Sequence, residues 1–345
     1  MAKSLRTIIL LAISSLPFFA SAHEVYVLDH VTIDAALAAP SPNPFLAYIG
    51  NEYDFFFWGF VSVVVLTTLL FATFFRLFEQ SLGPIFASLK SFAHPLIRLT
   101  IGATLLIFGW QGILYGPELP LSKIFGPAAG VLQIVLTGLG VAILAGVYTR
   151  ISALIAIFIY LCAGWSAGWY ILTYTGHLGG YVALLMLGAG SWPFGNLLQK
   201  SDVLSSVRLY LKSLAPLAFP VLRMLFGFGI MFAALYAKFI HSELALQTIA
   251  QNHLTDYLPF EPLFIVLGAL IIEFLAGLMM FLGVAVRWTG LFLIFWLTMG
   301  HLSTNEAWWV HIILYGLGLA IFCHGYDRYS LEGYFLKKDN REPIL

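Results

Sequence analysis

The sequence predicts an all-α polytopic membrane bundle of about nine transmembrane helices, two parallel four-helix repeats following one extra N-terminal helix. Three observations carry that prediction. Of the 345 residues, 60% are hydrophobic and 10% charged, where a soluble domain carries about a quarter charged residues. The apolar residues fall in runs near the ~20 residues that a helix needs to cross a bilayer. The stretch HPLIRLTIG at 94–102 returns as FPVLRMLFG at 219–227, with Pro95, Arg98 and Gly102 matched in spacing by Pro220, Arg223 and Gly227.

The elements follow in chain order. Lys3 and Arg6 precede an apolar core over 8–19, and Ala20-Ser21-Ala22 offers a small-residue cleavage site. That pattern predicts a signal peptide over 1–22. An uncleaved anchor is the alternative, but the core is short for a span. Residues 23–53 are polar, contain PSPNPF, and read as an exported segment. The extra helix and a cytoplasmic linker occupy 54–93, with the span near 55–75. The first unit, 94–198, holds spans near 96–115, 128–147, 151–171 and 177–195. A linker over 199–218 leads to the second unit, 219–335, with spans near 219–239, 262–282, 288–304 and 307–324. Residues 336–345 form a tail.

Charge orients this topology. With residue 23 outside, the inner loops and helix ends hold Arg76, Lys90, Arg98, Arg150, Lys200, Arg208, Lys212, Arg223, Arg287, Arg328, Lys337, Lys338 and Arg341. The outside holds Lys123 and Lys238. Thirteen against two fits the positive-inside rule and places the chain in the inner, cytoplasmic membrane with an exported N-terminus and a cytoplasmic C-terminus. The same bookkeeping marks the units a second time. LAGVYTR at 144–150 and FLGVAVR at 281–287 each set Gly-Val before an Arg at an inner turn. Gly146 and Gly283 suit a helix end, where a left-handed residue is cheap. Each unit closes on a Gly/aromatic turn, SWPFG or HGYDRYS.

These markers resemble the DoxX-like family, within the wider group that includes DoxD and MauE. The resemblance rests on the opening Arg-to-Gly helix, the Gly-Val-x-x-Arg turn and the closing GYDRYSLEGY. It covers most of 94–335, is better in the second unit, and leaves 23–90 outside. It implies a multi-pass membrane protein. DoxD-type members belong to a thiosulfate:quinone oxidoreductase, and MauE-type members are linked to disulfide chemistry. The latter needs paired cysteines. Cys162 and Cys323 stand alone in apolar segments and form no CxxC pair, so they read as ordinary buried thiols.

Several residues are candidates for chemistry. His177, His301 and His311 lie near the outer ends of the fifth, eighth and ninth spans, with Glu306 between the last two beside Trp308 and Trp309. Imidazole and carboxylate together bind a metal or take protons from a quinol, and the tryptophans would rim such a cavity. The alternative is a wet interface with Trp as belt anchors. Glu273 sits near the middle of a span in LIIEFLAG. An acid at that depth is by default a functional hypothesis with a partner inside the bundle. Gln133 reads as a structural hydrogen-bonder. Arg98 and Arg223 read as headgroup anchors that snorkel. A mature N-terminal His23 with His30 nearby would suit Cu(II).

Function classes narrow accordingly. Seventeen cations balance seventeen anions, so nothing favours nucleic acid. There is no phosphate-binding Gly loop and no deep pairing of histidines of the haem type. Three classes remain: a quinone- or metal-linked subunit of a membrane redox system with a redox partner subunit, a small-solute or metal permease, and a non-catalytic assembly or recruiting protein in the bilayer.

Overall fold

The computed structural model describes residues 27–49, 53–190, 210–211, 213–304 and 308–336. The expected signal peptide, His23, the 191–195 turn, Glu306 and the tail from 337 lie outside the described residues. Within them the chain is a helical bundle. Five stretches are long and apolar enough to cross a membrane: Ser81–Gln111, Leu121–Ala145, Thr149–Leu187, Ala215–Ile240 and Pro262–Leu282. Trp110, Trp165 and Trp169 stand exposed at helix ends, where a membrane–water interface favours indole.

Helix α1 (His30–Ala38) opens the described chain. Asp29 caps it by accepting from the Val31 and Thr32 N–H groups, two of the donors every helix start leaves orphaned. Helix α2 (Tyr53–Gln111) runs for 59 residues with Pro84 and Pro95 inside it. The expected linker over 76–93 is helical, part of this one run. Proline removes one ladder bond but does not end a helix that neighbours hold on both sides. Here the Trp288 indole donates to Glu79 at 3.1 Å, and Phe86 packs edge-on against Trp288 and Phe322.

A short hairpin follows, β1 (Ile113–Leu114) pairing antiparallel with β2 (Gly116–Pro120). Then come α3 (Ala129–Ala145), α4 (Thr149–Ala167) and α5 (Thr175–Leu187). After the linker come α6 (Ala218–Leu235), α7 (Ser242–Gln251), α8 (Pro262–Leu282), α9 (Val286–Thr304), α10 (Ile312–His324) and the short α11 (Leu331–Leu336). Helices α3 and α8 end alike. Gly146 and Gly283 are left-handed at φ 73° and 75°. The Val147 N–H reaches back to the Ala142 carbonyl, and the Val284 N–H to that of Met279, both at 2.8 Å. This is the Schellman stop that Gly permits.

Two close crossings hold the bundle. A Cβ on Gly140 would sit 2.7 Å from the Gly102 carbonyl, and one on Gly277 2.8 Å from the Gly227 carbonyl. Helices α2 and α3, and α6 and α8, therefore meet backbone to backbone, the small-residue contact typical of membrane helices. Beyond these pairs, α2 packs on α10 and α6 packs on α5. The core they share includes Ile97, Ile101, Leu184, Leu222 and Leu317.

The arginines correct a second expectation. Arg98 and Arg223 do not snorkel; they are 3% and 2% exposed. Arg98 donates to the Ala189 carbonyl at 3.0 Å. Arg223 donates to the Met280 and Phe281 carbonyls and pairs with Asp327 at 3.0 Å. Arg150 donates to Leu185 and Met186, and Arg287 to Phe322 and His324. A helix C-terminus leaves carbonyls without intrahelical partners and carries negative partial charge. A guanidinium with five fixed donors satisfies both.

Candidate functional site

Glu273 comes first because its depth in α8 is costly. It is 3% exposed. Lys238 Nζ lies 2.9 Å from its Oε2, and the Trp296 indole donates to Oε1 at 3.0 Å. Lys238, counted among the outer cations, is fully buried. It sits in a π-helical turn, Tyr236–Ile240, that closes α6. Such turns recur at functional sites, and here the extra residue per turn carries the lysine inward. Beside Trp296 lies an apolar cavity of about 170 Å³ whose walls include Phe56, Phe60, Phe264 and Ile272.

A second polar cluster surrounds Glu118. The β1–β2 hairpin turns through Tyr115 at φ 68°, a backbone region costly for a bulky residue. The turn sends Tyr115 and Glu118 back into the bundle, where they are 1% and 8% exposed. Glu118 Oε1 accepts from the Tyr174 hydroxyl, and from that of Tyr170 at 3.2 Å. Tyr115 stacks on Tyr174 at 5.1 Å and meets the His177 ring at 4.7 Å and that of Tyr160 at 5.7 Å. A buried carboxylate, phenols and an imidazole thus share one water-poor space. Of these, Glu118, Tyr170 and Tyr174 lie within hydrogen-bond reach of one another, the geometry that proton transfer requires.

His177 belongs to this tyrosine site, its ring neighbours being Phe108, Tyr115 and Tyr174. His311 is 1% exposed at the entry to α10, with its ring 6.1 Å from Tyr315. His301 lies half-buried in the last turn of α9. Glu306 and the Trp308 side chain lie outside the described residues, and Trp309 is half-buried. Among the described residues no group of three or more His, Cys, Asp or Glu is arranged to hold a metal ion. His30 is the first residue of α1. Cys162 and Cys323 are free thiols.

Glu118, Lys238 and the tyrosines escaped the sequence reading. One signal was present. Tyr170, Tyr174, His177 and Tyr181 follow each other at i, i+4, i+7 and i+11, a single polar stripe if that stretch is helical. The structure makes it helical, with Gly168–Tyr174 as 3-10 turns running into α5.

A broad, open, apolar groove of about 640 Å³ has Tyr160, Leu172 and Thr175 on one side and Val221, Leu225 and Phe228 of α6 on the other. Tyr160 therefore touches both the groove and the tyrosine site. Comparison of the chain with family models, curated proteins and solved structures finds no match.

Proposed function

We propose that this protein is a nine-span inner-membrane protein of DoxX-like type and a quinone-linked subunit of a membrane redox system. In this reading the Glu118–tyrosine–His177 cluster carries protons to or from the quinone. The observation that carries it is the buried Glu118 carboxylate with two phenol hydroxyls on it, joined through the Tyr174–Tyr115 and Tyr115–Tyr160 ring contacts to the open apolar groove.

The two-unit architecture draws support from matched details. Arg150 and Arg287 reach the last carbonyls of α5 and α10, and Gly102/Gly140 repeats as Gly227/Gly277. The first helix of each unit packs on the last helix of the other. That reciprocity is what a parallel pair related by an axis along the membrane normal produces. The cytoplasmic C-terminus and exported N-terminus rest on the charge asymmetry of the loops.

The groove's size and apolar walls suit an isoprenoid tail. Reducing a quinone to a quinol takes two electrons and two protons. A partner subunit with a redox centre supplies the electrons, and the cluster supplies the protons. Neither Glu118 nor the phenols need leave the bundle for this. The test is quinone content and quinol-coupled turnover of the protein purified with its partners from native membrane. Glu118→Gln should lower turnover by about 100-fold or more, the scale of a lost acid–base group, with quinone content unchanged. Full turnover in that variant, or a preparation without quinone, sinks the proposal.

A second reading, a small-solute or metal permease, is favoured by the Lys238–Glu273 pair, since buried ionisable groups mark ion pathways. Solute uptake by proteoliposomes that lack any redox partner would favour it.

A further inference from the structure

We propose that one ordered water is held between the two units, hydrogen-bonded to His177 Nε2 and Thr173 Oγ1, as the proton partner of that imidazole. This deepens the reading of the Glu118–tyrosine–His177 cluster as a proton relay and rests on it. The observations are a cavity and two polar atoms. The cavity measures about 20 Å³. Thr173 and His177 form one wall, and Phe226 and Gly229 of α6 with Ile313 and Leu314 of α10 form the other. His177 Nε2 and Thr173 Oγ1 are both sealed from solvent, and neither has a hydrogen-bond partner among the described residues.

Geometry decides between a dry and a wet cavity. A void needs roughly 10–15 Å³ to take one water, and the water needs two or more polar partners. This void meets the volume, and two of the residues that line it, Thr173 and His177, each carry a stranded polar atom, which meets the partner count. An apolar void of the same size stays dry. Thr175, two residues on, is not on the lining of this cavity, and its single hydroxyl proton is shared between the Leu225 and Leu172 carbonyls. Gly229 keeps the second unit close. A Cβ there would lie 2.9 Å from Thr175 Oγ1 and 3.1 Å from the Thr173 carbonyl.

Such a water changes what His177 can do. Tyr115 and Tyr174 pack against its ring, tilted and edge-on. The water gives its remaining nitrogen a partner on the side of the second unit. With the other ring nitrogen held by the Tyr174 backbone carbonyl, Nε2 is the nitrogen open to proton exchange, and the water is its partner. Thr173 is a positioning residue in this scheme. It holds the water and does not itself titrate.

The test is a structure of the intact protein in nanodiscs at a resolution that shows waters. Density within hydrogen-bond distance of both atoms is expected, and its loss in Thr173→Val. A wild-type cavity without density overturns the proposal, as does density that survives Thr173→Val unchanged. X-ray radiolytic labelling in oxygen-18 water is an independent measurement on wild type alone. Radicals born on the bound water should mark Tyr174 and Phe226, both closed to bulk solvent. No label on either residue overturns the water. Neither result bears on quinol turnover of Glu118→Gln, so the relay water and the redox reading fail separately.

Discussion

Replacing Glu273 by Leu isolates the worth of the buried pair. Lys238 Nζ and Glu273 Oε2 lie 2.9 Å apart, with side-chain exposures of 0% and 4%. Removing one partner of such a pair costs about 3–5 kcal/mol, because the other charge stays buried and uncompensated. Replacing both by apolar groups of similar volume is often close to neutral. Trp296 complicates the double variant, since its indole loses the Oε1 acceptor. A stranded buried donor costs about 1–3 kcal/mol. Lys238→Met should therefore lose about 3–5 kcal/mol, Glu273→Leu that loss plus the roughly 1–3 kcal/mol of the indole, and the double variant only the indole's share. The assay is equilibrium unfolding of all four proteins in one detergent, read as a double-mutant cycle. Additive losses in the double variant would refute the reasoning, because they would mean that the two charges do not hold each other in place.

Arg287→Ala should destabilise by about 3–5 kcal/mol in the same assay, and Arg287→Lys, which keeps the charge, should recover only part of that loss. The Glu79 carboxylate lies 3.8 Å away with no exposure, and an ammonium cannot also fork onto the Phe322 and His324 carbonyls. Acid should fray α1 first. The Thr32 backbone N–H and hydroxyl hold Asp29 below its ordinary value of 3.8, so its cap contributes fully above that value and is lost as pH falls through the lower folded one. Amide exchange over 30–38 that stays slow throughout that descent would contradict this. Cysteine placed at Ser122 or Thr255 should react with an impermeant reagent added to the outside of sealed cells or spheroplasts, and cysteine at Tyr329 should not. Labelling at Tyr329 overturns the orientation.

What could be read from the sequence had a local cause. Gly146 and Gly283 announce their Schellman stops because only a left-handed residue ends a helix that way. The apolar run over 262–282 coincides with α8, since length and hydropathy are properties of the run itself. The helix through 76–93 was hidden because its support comes from residues some two hundred positions on, Arg287, Trp288 and Phe322. Proline read alone says stop; proline held against another unit does not. In the candidate site, the depth of Glu273 was legible and its partner was not. Lys238 looked like a rim charge until a π turn carried it inside. Glu118 was hidden more deeply, because a GPELP loop gives no hint that its hairpin folds back between helices.

The arginine contacts have a consequence for how this chain tolerates change. Arg150 and Arg287 address main-chain oxygens at Leu185, Met186, Phe322 and His324. Any amino acid offers the same oxygen, so the recipient positions are free to vary in side chain without disturbing the contact. Paired substitution would not reveal this coupling, since one half of it has no side-chain identity. Insertion or deletion is different. Each residue turns an α-helix by about 100°, so one residue gained or lost in the final turn of α5 or α10 swings the acceptors out of the guanidinium's reach. The ends of these helices are thus permissive in letter and strict in count.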